Sequence, residues 1–296
     1  MGPTAAGKSA WAMEQAGKLD AAIVNCDSIQ VYKELDVGSS KPTAKEMSEV
    51  PHYLFDYVSY PQEMTAGQYT RDFFSEIKKI NQKILFVVGG TGFYFQALEQ
   101  GMYPVKQISE EVREKVKKDF QEKSFESIYL WIKEKDPLYA AKISINDKYR
   151  IERAYELMVS ENKTMTQVQE EFNQQKQKFP YPYLKVGVTG SKEDLLPLVQ
   201  RRTKKMLAEG LISEVQSLLK KGYKGWSPLE SVGYKEVQEY LEKNLDVRWL
   251  EDEINKNTMK LIKKQRTWFQ RDKEVINITR AQNQLSQLDS FLGNSR

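Results

Sequence analysis

Gly2-Pro3-Thr4-Ala5-Ala6-Gly7-Lys8-Ser9 constrains this chain more than any other stretch. It fits G-x-x-x-x-G-K-[ST]. In such a loop backbone amides wrap a phosphate chain, the lysine neutralises the outer phosphates and the serine hydroxyl reaches Mg²⁺. The loop needs a helix directly behind it, because the first amides of that helix and its positive dipole end complete the anion site. Residues 10–19 read as that helix, with Trp11, Met13 and Ala16 set among good helix formers. A strand ordinarily feeds such a loop. Met1 is the kind of apolar residue that ends one, so the expectation is an apolar run upstream in the unabridged gene and a first strand missing from this numbering.

Two further turns belong with this loop. Residues 21–26, Ala-Ala-Ile-Val-Asn-Cys, read as a buried parallel strand ending at Asp27. Residues 84–88, Ile-Leu-Phe-Val-Val, form the clearest strand and run into Gly89-Gly90-Thr91-Gly92 and a helix start at Phe93. Ligands of open α/β sheets sit beyond the carboxyl ends of the strands. Asp27–Tyr32 and the second glycine turn are therefore expected on the rim that carries the phosphate loop. The segment 65–82 reads as a helix capped by Thr65, with Tyr69, Phe73, Phe74, Ile77 and Ile80 along one stripe.

Between about Tyr103 and Pro180 the character changes. Strand-like runs disappear, Glu, Lys and Gln dominate, and apolar residues recur at helical spacing, as at Val112, Val116 and Phe120. This reads as a helical insertion whose nearly balanced charge is mostly solvated. The α/β pattern resumes with a strand at 183–189 and a long helix carrying Leu195, Val199, Arg202 and Met206 that ends near Gly210. A helix start at Gly233, a basic helix over 251–270, a strand at 275–278 and a helix from about Ala281 with a frayed tail complete the chain. The expected fold is α/β: a P-loop-type, mostly parallel sheet flanked by helices. Residues 1–102 and 181–296 form the core, and 103–180 an all-helical insertion.

Composition narrows the function. With 296 residues the chain can bury a real core. One cysteine, Cys26, excludes an internal disulfide framework and a cysteine zinc site, which favours a reducing, cytoplasmic setting. No apolar run is long enough to span a membrane. The net charge of +4 permits an anionic partner without demanding one. His52 is the only histidine, so catalysis by a histidine pair is impossible, and beside Pro51 it reads as structural.

Among candidate groups, Asp27 is the most informative. A carboxylate just past a strand and facing a phosphate loop suits a general base or a metal ligand, and it equally suits a turn cap. Thr91 could hydrogen-bond a substrate or cap its own helix. Arg202 could reach over phosphates. The lysines and arginines of 256–271 suit a nucleic-acid backbone, and a solvated face equally. By themselves these residues describe a Mg²⁺-dependent transfer enzyme acting on a phosphorylated small molecule, such as a nucleotide kinase.

Taken together and in order, the blocks resemble the tRNA dimethylallyltransferase family. They are GPTAAGKS at 2–9, DSIQVYKELDVGSSKP at 27–42, PHYLFD at 51–56, VVGGTGFY at 87–94, NDKYRIERAYEL at 146–157, MLAEGLISEV at 206–215, SVGYKE at 231–236 and KKQRTWF at 263–269. The resemblance implies a P-loop-fold prenyltransferase that moves a dimethylallyl group from its diphosphate to N6 of an adenosine beside the anticodon, with that base flipped into a channel. It implies Asp27 as general base. It implies that Gly2, Pro3, Thr4, Ala5, Ala6, Gly7, Lys8 and Ser9 with Mg²⁺, together with Arg202, hold the diphosphate. Thr91 would line the channel, and Asp27, Ser28, Ile29 and Gln30 would hold the adenine. Arg113, then Tyr149, Arg150, Ile151, Glu152 and Arg153, and Glu230, Ser231, Val232, Gly233, Tyr234 and Lys235 would contact tRNA. A cytoplasmic, monomeric, bacterial-type enzyme is expected, and an ATP-binding label would rest on the loop motif alone.

The chain departs from the family pattern in places. Leu198 stands where the first arginine of an Arg-Ile-x-x-x-Arg pattern is usual, although Arg202 is kept. Thr258-Met259 replaces Thr-Arg, Lys263-Lys264-Gln265 replaces Lys-Arg-Gln, and Gly38-Ser39-Ser40-Lys41-Pro42 replaces Gly-Thr-Ala-Lys-Pro. A lysine keeps the charge of an arginine and loses its planar fork. Rival readings are a nucleoside or small-metabolite kinase, an AMP prenyltransferase, and an RNA-binding module without activity. The long insertion argues against the second, because a free nucleotide needs no such surface.

Overall fold

In the computed structural model, which describes residues 1–102, 109–175, 179–279 and 286–294, the loop at 2–9 runs directly into α1 (Lys8–Leu19). Gly7 caps that helix at φ 91° and ψ 15°, a left-handed conformation that costs glycine nothing and other residues about 1–2 kcal/mol. β1 (Ala22–Asn25) follows and is buried along its whole length, as a parallel strand covered on both faces must be. Next come α2 (Ala44–Glu49), β2 (His52–Tyr53), α3 (Ala66–Glu76), β3 (Leu85–Val88) and α4 (Gly92–Gln100). Five helices form the middle of the chain: α5 (Glu110–Glu122), α6 (Phe125–Lys135), α7 (Pro137–Ala140), α8 (Lys148–Glu161) and α9 (Met165–Gln175). The chain then runs through β4 (Val186–Thr189), α10 (Lys192–Ala208), α11 (Leu211–Lys220), α12 (Tyr234–Lys243), α13 (Val247–Phe269), β5 (Ile276–Thr279) and α14 (Ser286–Asn294).

All named strand pairs are parallel. β1 lies between β2 and β3, with Ile23 opposite His52 and Phe86, and β4 pairs with β5, Val186 opposite Ile276. Where a single sheet was expected, the described residues form two. No ladder joins β3 to β4. Instead the Met1 amine donates to the Val186 carbonyl at 2.7 Å, and Val188 N–H donates to the Met1 carbonyl at 2.9 Å. One residue supplies two hydrogen bonds but no strand.

The chain divides into two compact units, Met1–Ala97 with Tyr181–Arg296, and Leu98–Pro180. In the first, Ala12, Ala16, Ile23 and Val50 close one cluster between α1 and β1, and Val188, Leu195, Val199, Ile262 and Ile278 close another among β4, β5, α10 and α13. A larger cluster built on Tyr32, Leu35, Leu211, Trp226, Leu229, Tyr234 and Leu250 fixes the segment after Asp27 against α11, α12 and α13.

The second unit is helical throughout its described residues and closes on Ile128, Ile132, Ile151, Ala154, Leu157 and Met165. Its short helices start where the sequence offers a side-chain acceptor. Ser109, Ser124, Asp136 and Asp147 each take an N–H from the first turn of the helix that follows, worth about 1 kcal/mol apiece. Asp136 does more: its carboxylate also accepts from Thr166 N–H and Thr166 Oγ1 at 2.8 and 2.6 Å, tying the start of α7 to α9.

Some boundaries differ from expectation. The helix expected over 65–82 ends at Glu76, and a single tight turn carries on to Lys79. The strand expected over 183–189 is limited to its last four residues. The expected start of the insertion at Tyr103, residues 281–285 of the last helix and its final two residues lie outside the described residues.

Candidate phosphate and acceptor site

The phosphate loop arranges its own donors. Ala6 N–H turns back to the Pro3 carbonyl at 3.4 Å, Lys8 Nζ donates to the same carbonyl at 2.8 Å, and Thr4 N–H donates to Gln265 Oε1 at 2.9 Å. The first-turn amides of α1, at Lys8, Ser9 and Ala10, have no carbonyl four residues back inside the helix and face outward from its start. Burial pulls the Lys8 ammonium down to about pKa 8, with Arg202 acting the same way and Asp27 opposing. An anionic phosphate in the loop would reverse that shift, because a neighbouring negative charge favours the protonated amine.

Asn25, fully buried at the end of β1, sets the turn that presents Asp27. Its Oδ1 accepts from Asp27 N–H at 2.9 Å, and its Nδ2 donates to the Asp27 and Leu54 carbonyls. Asp27 Oδ1 accepts from Ile29 N–H at 2.9 Å, so the carboxylate does cap a turn, which fixes its direction and leaves Oδ2 for other work. Thr91 Oγ1 accepts from Ser28 N–H at 3.0 Å and donates to Ser28 Oγ at 3.3 Å. Both amide hydrogens of Gln30 go to the Ser39 and Ser40 carbonyls. Lys41, nearly buried, holds this loop through Asp36 at 2.9 Å and through Asp56. Glu214 on α11 takes Val37 N–H at 2.7 Å and Tyr234 Oη–H at 2.5 Å.

Arg202 rises from α10 into the same region. Burial lowers its pKa, while the negative charge of Asp27 and the Tyr234 phenol oppose that. Asp27 is thus felt by both Lys8 and Arg202. A carboxylate whose charge acts on two desolvated cations places acid–base chemistry beside an anion site.

The second glycine turn is pressed by the end of α13. Gln265 Nε2 donates to the Gly90 carbonyl at 2.9 Å. A Cβ on Gly90 would lie 2.5 Å from that nitrogen, and one on Gly92 would lie 2.2 Å from Trp268 Cδ1. A side chain at Gly90 would push the Gln265 carboxamide aside, and one at Gly92 would have to move the Trp268 ring.

The residues expected to share a site therefore divide. The loop at 2–9, Asp27–Gln30, Thr91, Arg202 and Glu230–Lys235 belong to the first unit, and Arg113 and Tyr149–Arg153 to the second. Two side chains expected to face RNA are core residues. Tyr234 is fully buried against Glu214, and Ile151 is fully buried among Ile128, Ile132 and Met158, because each falls on the apolar stripe of its helix. Gly233 caps α12 at φ 99° and gives its N–H to Glu236, while Lys235 and Glu230 are exposed and paired at 2.7 Å. Tyr149 is 77 % exposed, Arg150 pairs with Asp147 at 3.2 Å, Arg113 with Glu110 at 3.7 Å, and Arg153 with Glu156. His52 is half-buried with Nδ1 on the Val50 carbonyl, and Cys26 is buried.

Reading residues singly missed Asn25, Glu214 and Gln265. Asn25 left a trace, a polar side chain closing an otherwise apolar strand. Gln265 and Glu214 left none, because Thr4 and Gly90 for the one and Val37 for the other lie more than 170 residues away.

Mg²⁺ prefers oxygen ligands and usually takes one or two protein groups with phosphate oxygens supplying others. Ser9 Oγ, exposed at the start of α1, is an oxygen donor of that kind, and a phosphate chain in the loop would supply others. Among the described residues no three His, Cys, Asp or Glu side chains could form a closed metal cage. No helix there is long and apolar enough to cross a membrane.

A family model described as IPP transferase matches residues 30–272. The chain belongs to that family. It is 49% identical over 277 residues to the tRNA dimethylallyltransferase of Bdellovibrio bacteriovorus, covering 93% of this chain and 90% of that protein. Against the enzyme of the same name from Koribacter versatilis the identity is 35%, with the same coverage. Among solved structures, a tRNA delta(2)-isopentenylpyrophosphate transferase from Staphylococcus epidermidis is similar with a TM-score of 0.68 and 26% identity, covering 100% of this chain and 98% of the other. A eukaryotic dimethylallyltransferase acting on tRNA shares the fold with a TM-score of 0.81 at 22% identity, over 99% of this chain and 78% of its own. The family model spans both units, the insertion included.

Proposed function

We infer that this protein transfers a dimethylallyl group from dimethylallyl diphosphate to N6 of the adenosine 3′-adjacent to the anticodon in tRNA, releasing diphosphate. The observation that carries the reading is the grouping of Asp27 with Lys8 and Arg202 on the rim of the phosphate loop, in a chain whose relatives bear that activity's name. In the reaction the bond between the allylic carbon and the diphosphate oxygen breaks, and a bond from that carbon to N6 forms. The α1 amides, Lys8 and Arg202 take up the charge that develops on the departing diphosphate. Asp27, held by Ile29 N–H, accepts the N6 proton. Mg²⁺, held by Ser9 and the diphosphate, would supply further neutralisation of the leaving group.

Thr91 and the Ser28–Gln30 backbone would line the place of the flipped adenine; taking the base from its stack is how a recessed site reaches an anticodon-loop atom. Arg113, Tyr149, Arg150, Glu152 and Arg153 on the helical unit, and Glu230, Ser231, Val232 and Lys235, would meet the RNA backbone. There charge gives affinity, and sequence is read from single-stranded bases. The same reading has the enzyme cytoplasmic and monomeric.

Incubation of the purified protein with Mg²⁺, labelled dimethylallyl diphosphate and unmodified tRNA tests it. Mass analysis of the digested RNA should find one dimethylallyl addition on the adenosine beside the anticodon. Label staying off tRNA while ATP is consumed would leave the kinase reading, and AMP competing as acceptor at comparable efficiency would leave the nucleotide prenyltransferase.

A further inference from the structure

The carboxamide of Gln265 is divided between two loops far apart in sequence. Its oxygen takes Thr4 N–H of the phosphate loop and its nitrogen gives a hydrogen to the Gly90 carbonyl, both at 2.9 Å. The next residue after Gly90 is Thr91, whose hydroxyl takes Ser28 N–H at 3.0 Å, and Ser28 follows Asp27. A continuous run of covalent and hydrogen bonds thus leads from Thr4 through Gln265, Gly90, Thr91 and Ser28 to Asp27. The close fit of Gln265 against Gly90 and of Trp268 against Gly92 holds α13 in register with that turn.

We propose that Gln265 is a positioning residue that sets the spacing between the phosphate loop and the Asp27 loop, by binding Thr4 N–H and the Gly90 carbonyl with one side chain. It also occupies the Thr4 amide, which is thereby withheld from the phosphate cradle. The proposal rests on the prenyl-transfer reading. It touches neither substrate; it acts through the groups that do.

A carboxamide is suited to this work because it offers an acceptor and a donor two bonds apart. An ionised carboxylate of the same shape only accepts. It would keep the Thr4 bond and turn a negative oxygen toward the Gly90 carbonyl. Once protonated, it could donate again. The Gly90 carbonyl disfavours the ionised form and the Thr4 N–H favours it, and the protonated form, which restores the donor, gains as the buffer is made more acidic. Displacing reacting groups by about 1 Å costs up to roughly 100-fold in rate, which bounds the effect.

The test compares Q265A and the isosteric Q265E with the natural protein, reading kcat, KM for dimethylallyl diphosphate and tRNA affinity between pH 5.5 and 8.5. At pH 8 both variants should lose about 30-fold in kcat, within the bound set by misplacement of that order, with tRNA affinity changed less than about twofold. Relative to the natural protein, the deficit of Q265E should shrink as pH falls, and that of Q265A should stay constant. A passive packing role would not produce that contrast. Hydrogen exchange followed by mass spectrometry should show peptides covering 2–9 and 89–95 loosening together in Q265A.

Unchanged kcat in Q265A, a deficit confined to tRNA affinity, a Q265E deficit independent of pH, or unaltered exchange in either loop would each overturn the proposal. Should the natural protein transfer no prenyl group, the functional reading fails by itself, and the exchange measurement still decides whether Gln265 couples the loops.

Discussion

Side chains near the phosphate loop are tied across long stretches of chain: Gln265 to Thr4 and Gly90, Thr91 to Ser28, Glu214 to Val37 and Tyr234. For the arginines of the helical unit the pairing is local instead. Arg113, Arg150 and Arg153 each meet an acid three residues along the chain, and Tyr149 stands in solvent. Transfer chemistry needs donors and a base fixed to fractions of an ångström; local turn bonds aim the Asp27 carboxylate, and bonds between distant segments hold the loops against one another. Reading a flexible polyanion asks for charge and accessible side chains, which a solvated helix face provides at little structural cost. The same residue types therefore do different work, according to whether their partners are distant or adjacent in sequence.

Substitutions can break that contrast. The largest effect is expected for Asp27→Ala, which removes the base while leaving the neighbouring Asn25 hydrogen bonds to the backbone in place. Single-turnover prenylation should slow by about 10²–10⁴, the usual worth of a positioned general base, with tRNA binding retained. Unchanged turnover would remove Asp27 as base.

Asp136→Ala strikes a place where the helical unit does use a distant tie, as it also does between Tyr155 Oη–H and Asp119 at 2.7 Å. Losing the α7 cap and both Thr166 bonds should cost about 2–3 kcal/mol in denaturant unfolding of the full chain, with tRNA contacts untouched. Burial pushes the Asp136 carboxyl up, yet the hydrogen bonds from Thr166 and Tyr139 outweigh it and the pKa is lowered. The stabilisation is therefore complete above the ordinary aspartate pKa and fades as pH falls through the lower folded value. The Ala variant should lack that acid-side loss.

Lys8 sharpens the comparison through pH. With a free-enzyme pKa near 8, its charge is present below that value and lost above it. KM for the prenyl diphosphate should rise above pH 8, approaching about tenfold per pH unit, and Lys8→Met should have a high KM without this rise. The smallest effect belongs to the solvated face. Arg150→Ala should weaken tRNA binding only a few-fold, reduce the slope of log affinity against log salt by about one, and leave stability within about 0.5 kcal/mol. A fixed geometry like that of the first unit would instead produce a large, salt-independent loss.

Much of this was readable from residue order. The phosphate loop, the helix behind it, β1 ending two residues before Asp27 and β3 running into the glycine turn are local patterns, and local backbone preference together with hydrophobic period dictates them. The Thr65 cap and the serine and aspartate caps of the helical unit are equally local. What residue order left open was exposure within a helix: Ile151 and Tyr234 sit in motifs rich in charge and are buried, because their direction depends on which stripe the rest of the fold covers.

The sequence by itself determined the chemistry available: an anion loop, a carboxylate at a strand end, a second glycine turn and a basic helix. Tertiary structure decided which of these act on one another. Gln265 is an ordinary polar residue in the sequence and becomes the link between two loops only when α13 is laid across them. A hydrogen bond between residues 4 and 265 leaves no periodicity, cap or spacing to read, because its energy depends on distances that exist only once the chain has folded.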